Sequence, residues 1–182
     1  MNIAIIGSGS WATALAKIVM HNATDINWYI RKQETIDEFI EIRRNPNHLE
    51  CAYFDVSRIH FSADINAVIE QSDLLVLAVP SPYLKQSLND IKVDMSNKMV
   101  ISAVKGMIPD ENLLVTEYMH QYFHVPKENL GVIAGPCHAE EIALERLSYL
   151  TVGCKDMQKA IEWSKLFDTP YVRTTPSNDV EG

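Results

Sequence analysis

At 182 residues, 47% hydrophobic and 22% charged, the chain has the length and composition of a folded globular domain, which excludes a disordered or low-complexity polymer. Its net charge of −8 argues against nucleic acid as a partner, because that role needs a basic patch which the sequence lacks. The longest wholly apolar stretch in the middle of the chain, Leu74–Val79, is far too short to cross a bilayer.

The elements read in chain order as an alternation of strands and helices. An apolar run over Ile3–Ile6 breaks into Gly7-x-Gly9-x-x-Ala12, and a helix is expected over Ser10–His21. A second strand follows at Asn27–Ile30 and a charged amphipathic helix at Gln33–Arg44, which Asn45-Pro46-Asn47 stops because proline disfavours helical geometry in the residue before it. A short strand at 59–61 and a short helix within 62–68 precede Asp73–Val79, the kind of continuous apolar run that a strand buried on both faces requires. Pro80 ends that run. A helix from about Ser81, a strand at Met99–Val104, a helix at Glu111–Gln121, a strand at Gly131–Ala134 and a helix from about His138 come next. Tyr149–Gly153, Gln158–Phe167 and Tyr171–Arg173 continue the rhythm. Such an alternation predicts an α/β fold with a doubly wound, largely parallel sheet of Rossmann type, occupying residues 1–182 as one dinucleotide-binding domain.

The first turn carries the chemistry most clearly. Gly7 allows a tight bend, Gly9 lets backbone approach a pyrophosphate, small Ala12 lets the helix lie close to the strand, and the helix's unpaired N–H groups face an anion. At the end of the second strand, where NAD-specific domains place an acidic residue for the ribose 2′-hydroxyl, this chain has Arg31-Lys32. Two cations there favour a 2′-phosphate, hence NADP over NAD; the plainer alternative is a pair of solvated charges. Asp25 lies before the strand and should point away.

Parallel sheets place ligands at the carboxyl ends of their strands, so the residues after each apolar run form a set: Gly7 to Ser10, Arg31-Lys32, Pro80-Ser81-Pro82, Lys105-Gly106 and Gly135-Pro136-Cys137-His138. Lys105 is placed to pair with a substrate phosphate or polarise a carbonyl. Glu140 and Glu141 suit a helix's first turn, each contributing ~0.3–1 kcal/mol against the dipole. Cys137 beside His138 lacks a third orienting group and does not make a nucleophile pair. His120 and His124 are spaced for one helix face, but no glutamate base lies between them and Pro126 follows, so they are read as flanking a helix end. Cys51, Cys137 and Cys154 show no Cys-x-x-Cys spacing, which points to a reducing compartment and no metal site. With no charged-then-apolar leader ahead of the first strand, the expected location is the cytoplasm. Trp11 should pack beside the first turn, whereas Trp28, Trp163 and the methionines should be core.

Taken together, the chain resembles the cofactor-binding half of bacterial NAD(P)-dependent glycerol-3-phosphate dehydrogenase over essentially its whole length. The resemblance is carried by the segment Gly7–Ala16, Arg31, Asn45-Pro46-Asn47-His48-Leu49, Val79-Pro80-Ser81, Lys105-Gly106, the segment Gly135–Glu141, and Ser177-Asn178-Asp179-Val180. It implies that Ser10, Trp11, Arg31 and Ala139 contact the dinucleotide, Lys105 contacts both cofactor and substrate, and Gly135 and Cys137 contact the small three-carbon phosphoester. The implied reaction passes hydride between NAD(P)H and dihydroxyacetone phosphate, giving sn-glycerol 3-phosphate for phospholipid synthesis, and relatives are expected to act as homodimers. Residue 137 departs from the family's usual Ser or Thr, and a thiol is a weaker hydrogen-bond donor. The resemblance also implies a helical second domain whose early lysine is the general acid/base, which would lie beyond Gly182. No catalytic residue is therefore expected within this chain, and without that lysine it should bind dinucleotide but turn over little. Two rival readings are another two-domain reductase, of ketopantoate or 6-phosphogluconate type, and a dinucleotide sensor without enzymatic activity.

Overall fold

Strands of four residues with no polar side chain facing either way must be covered on both sides, and the fold answers that demand. In a computed structural model, which describes residues 1–181, the elements run β1 (Ile3–Ile6), α1 (Ser10–Asn22), β2 (Ile26–Tyr29), α2 (Gln33–Ile42), β3 (Ile59–Ser62), α3 (Ile65–Glu70), β4 (Leu74–Leu77) and α4 (Ser81–Leu88). They continue with β5 (Met99–Ser102), β6 (Met107–Ile108), β7 (Leu113–Leu114), α5 (Val115–Phe123), β8 (Leu130–Ala134), α6 (Ala139–Ala143), β9 (Ser148–Cys154), α7 (Met157–Phe167) and β10 (Val172–Ser177).

Eight strands form one sheet in the order β10-β9-β8-β5-β4-β1-β2-β3. Every pairing is parallel except β8 with β9. Side chains alternate along each strand, so Ile3, Ile5, Leu74 and Val76 enter one core with α1, α2, α6 and α7. Ala4, Ile6, Leu75 and Leu77 enter a second core with α3, α4 and α5 on the opposite face. Trp28 anchors the first core among Phe39, Phe54 and Phe61, with ring centroids 5.2, 5.6 and 5.7 Å away. Trp163 is equally buried, as are Met20, Met95 and Met119.

The expected architecture stands, with local corrections. Met1, Met107 and Met157 are exposed rather than core, because the first precedes β1, the second sits on the short hairpin and the third opens α7. Helix α2 ends at Ile42, two residues early, because Arg43 turns left-handed (φ 56°) and its carbonyl accepts from Phe54 N–H. The segment expected as helix from Glu111 instead begins with the β6–β7 hairpin. Asp110 and Asn112 adopt positive φ in its turn, and the Glu117 carboxylate accepts from Leu114 N–H to start α5 four residues late. The last strand is longer than Tyr171–Arg173 and includes Pro176, which an edge position tolerates. Among the described residues, no helix is long and apolar enough to cross a membrane.

Candidate functional site: a crevice at the strand-order switch

From β1 the chain winds outward through β2 and β3, then returns to β1's other side with β4 and winds outward through β5 and β8. Helices leave opposite faces on either side of that reversal, so a crevice opens beyond the carboxyl ends of β1 and β4. A depression of about 410 Å³ occupies that position. It is lined by Gly9, Ser10 and Trp11 after β1, by residues 78–82 after β4, by Lys105 after β5, and by residues 137–140 after β8. A neighbouring depression of about 400 Å³ shares Trp11 and Lys105 and extends to Gly135, Val180 and Glu181. Four of the five loop segments singled out in the sequence thus line one or other depression, whereas Arg31-Lys32 lines neither.

The glycines have different physical reasons. Gly7 sits at φ +126°, and a Cβ there would lie 2.7 Å from the Ala78 carbonyl oxygen, so the crossing of the first loop over β4 admits no side chain. At Gly9 a Cβ would meet no atom within 4 Å, so the space over that backbone is open to a ligand. Gly9 is the N-cap of α1, with no side-chain cap bond and no acidic residue in the first turn. A 13-residue helix therefore presents its positive end to the crevice with no acidic residue in its own first turn, while Glu140 from α6 lines the same depression. Ala12 is fully buried, as close packing of α1 demands, and Trp11 is half-buried at the rim.

Arg31 and Lys32 follow β2 and are both exposed, Lys32 serving as the N-cap of α2. Asp25 lies at the opposite end of the strand, where its carboxylate shares a 2.8 Å bond with His60. Lys105 is exposed and, among the described residues, is the one Lys or Arg lining either depression. Beside it Gly106 turns at φ +89°. The hairpin that follows is tied to the body at its tip, where Glu111 pairs with Lys85 and accepts from the Tyr122 hydroxyl at 2.9 Å. The hydrogen bond from Lys85, and then that from Tyr122, holds the Glu111 carboxyl below its ordinary value, while Glu111 pushes Lys85 up.

Gly135 and Cys137 both close on one carbonyl. A Cβ on Gly135 would lie 2.5 Å from the Tyr149 oxygen, and the buried Cys137 thiol donates to that same oxygen at 2.8 Å. This explains the sequence Gly-x-Cys structurally: the loop is pressed against β9, with the thiol committed to a backbone acceptor. Ala139 opens α6 and is buried, while Glu140 and Glu141 occupy its first turn. His120, in the last turn of α5, donates its Nδ1–H to Val125 O (2.9 Å), and His124 is the helix's left-handed cap. Both therefore flank a helix end, as their spacing suggested.

Asn45 and His48, which the sequence marks only as a helix stop and a family motif, also reach the first turn. Ser10 Oγ lies 3.2 Å from His48 Nδ1, and the Asn45 amide donates to the Ser8 carbonyl at 2.9 Å. The signal that could have found them is the polar, proline-containing run itself, placed where a solvated loop would have done.

A family model described as the N-terminus of NAD-dependent glycerol-3-phosphate dehydrogenase matches residues 2–160. The chain belongs to that family. It is 28% identical over 183 residues to a glycerol-3-phosphate dehydrogenase [NAD(P)+] of Exiguobacterium sp., covering 100% of this chain and 53% of that protein. A Solidesulfovibrio magneticus protein of the same description is 30% identical, covering 100% of this chain and 55% of its own length. Among solved structures, Plasmodium falciparum glycerol-3-phosphate dehydrogenase superposes with a TM-score of 0.86 at 28% identity over 99% of this chain and 53% of that one. The Saccharomyces cerevisiae enzyme superposes at 0.85 with 22% identity over 99% and 57%, a likeness of fold alone. The chain thus spans about half the length of the relatives it matches.

Proposed function

We propose that this chain is the coenzyme-binding part of an oxidoreductase that moves hydride between NAD(P)H and dihydroxyacetone phosphate, giving sn-glycerol 3-phosphate, a precursor of glycerophospholipids, in the cytoplasm. The observation that carries the reading is the pairing, across one crevice, of an open glycine turn at a helix N-terminus with a single ammonium, Lys105. The open space over Gly9 and the uncapped first turn of α1 suit a pyrophosphate, and the coenzyme bound there would supply the hydride. Arg31 and Lys32, exposed after β2, favour a 2′-phosphate and so NADP. Lys105 would bind the substrate phosphate or draw electron density from the carbonyl, and the Gly135–Cys137 loop would wall the three-carbon end.

A reduced carbonyl oxygen must also take up a proton, and an acid positioned for that typically contributes 10²–10⁴-fold. By the family resemblance, the general acid/base would lie outside the described residues. The 182-residue chain by itself is accordingly read as a binder with little turnover, and the full-length enzyme as a homodimer. Calorimetric titration with NADH and NADPH, followed by dihydroxyacetone phosphate with a 2-hydroxy acid as control, tests the reading. Coenzyme binding, with fluorescence of bound NADH quenched by dihydroxyacetone phosphate alone, is the expected result. Well-folded protein that binds neither coenzyme overturns it.

A further inference from the structure

The glycine turn is held from behind by its carbonyl oxygens. Trp28 Nε1 donates to Gly7 O at 2.7 Å, Asn45 Nδ2 to Ser8 O at 2.9 Å, and Thr13 donates to Gly9 O through both its N–H (3.0 Å) and its hydroxyl (2.9 Å). The first and third of these donors come from the adjoining strand and helix. The second comes from 37 positions away, out of a loop. Asn45 Nδ2 also reaches Thr13 Oγ1 at 2.8 Å, and its Oδ1 accepts from Asn47 N–H at 3.0 Å, so the amide's orientation is set by its own partners. The side chain is buried at 1% exposure. The neck of its loop is fastened by Phe54 N–H to Arg43 O and by the Arg44–Tyr53 bridge, with Phe54 packed on Trp28.

In a trans peptide the C=O and the next residue's N–H point in opposite directions. Drawing the carbonyls of Gly7, Ser8 and Gly9 toward the body therefore turns the N–H groups of Ser8, Gly9 and Ser10 outward, toward the open space over Gly9. We propose that Asn45 is a positioning residue for the coenzyme's diphosphate, acting through the Ser8–Gly9 peptide without touching the ligand. This inference rests on the dinucleotide reading and deepens it by assigning the diphosphate's orientation to a side chain outside the glycine motif.

The test measures NADH, ADP and adenosine binding to the unmodified chain and to Asn45→Leu and Asn45→Asp. Asn45→Leu removes the donor at similar volume, whereas Asn45→Asp removes it while keeping the acceptor for Asn47. Without the donor the Ser8 carbonyl turns to solvent in the free protein, and re-forming the cradle on binding must desolvate it again, a loss of roughly 5- to 150-fold for NADH and ADP. Adenosine, which has no phosphate, should bind as before, a selectivity that general loosening of the fold would not produce. Equal losses for adenosine and ADP, or unchanged ADP affinity in a folded variant, overturn the proposal. On the unmodified chain, inorganic pyrophosphate should shift the amide resonances of Ser8, Gly9 and Ser10, and their indifference would also overturn it whatever the variants' folding. Absence of coenzyme binding by the unmodified chain would instead remove the dinucleotide reading, and this proposal with it.

Discussion

The turn after β1 and the turn after β5 face the same crevice, yet they are held in different ways. Around Gly7–Gly9, buried donors from Trp28, Asn45 and Thr13 secure successive carbonyls, and Ala78 leaves no room for a side chain on Gly7. Around Lys105–Gly106, the lysine is exposed, a Cβ on Gly106 would meet only Ser81 Oγ at 4.0 Å, and the hairpin beyond is tied by the Lys85–Glu111–Tyr122 contacts. A preorganised set of backbone dipoles needs that rigidity, because amides that must reorient lose most of their advantage for an anion. A long ammonium side chain does not, since it can adjust to its partner. The comparison separates a fixed cradle from an adjustable cation.

The largest effect should come from breaking the fixed side. Gly7→Ala combines a forbidden backbone angle with a clash against backbone, and the expected loss is roughly 3–5 kcal/mol of stability, read by denaturant unfolding. Gly9→Ala sharpens the contrast: nothing in the protein opposes its methyl, so unfolding should change by under about 1 kcal/mol while coenzyme affinity falls. If the two variants lose stability equally, the division of labour between the glycines is wrong.

On the adjustable side, Lys105→Met should leave the unfolding midpoint nearly unchanged and weaken the response to dihydroxyacetone phosphate by about tenfold or more, followed by quenching of bound NADH. A variant that responds like the parent would remove Lys105 from the substrate site. The smallest effect is expected at the hairpin tie. Glu111 has its carboxyl held below the ordinary 4.5, so its contribution is present above that pH and is lost as pH falls through the lower folded-state value. Lys85 is raised above 10.5, so its contribution is present below that pH and fades only as pH rises past the higher value. Thermal melts of the parent and Glu111→Gln should differ by a small, constant amount between these limits and converge in acid. A difference that grows on acidification would contradict the assignment.

Much of this was legible in the residues. Apolar runs such as Leu74–Leu77 can be buried on both faces only in a parallel sheet covered by helices, and Gly7-x-Gly9-x-x-Ala12 declares a tight crossing followed by a closely packed helix. Both are local statements, because periodicity and backbone freedom act over a few residues. The β6–β7 hairpin was hidden because Glu111–Gln121 has acceptable helix formers, and only the positive φ of Asp110 and Asn112 and the Glu117 bond to Leu114 N–H decide where α5 starts.

What the chain's order of residues determined alone was the alternation of strands and helices, the glycine turn and the set of loops at one sheet edge. Only the tertiary structure decided that Asn45 would serve Ser8, that Cys137 would commit its thiol to Tyr149, and that β9 would run antiparallel to β8. The physical reason is distance along the chain: a hydrogen bond between residues 37 positions apart leaves no periodic trace, since its geometry exists only after the sheet has brought the two loops together.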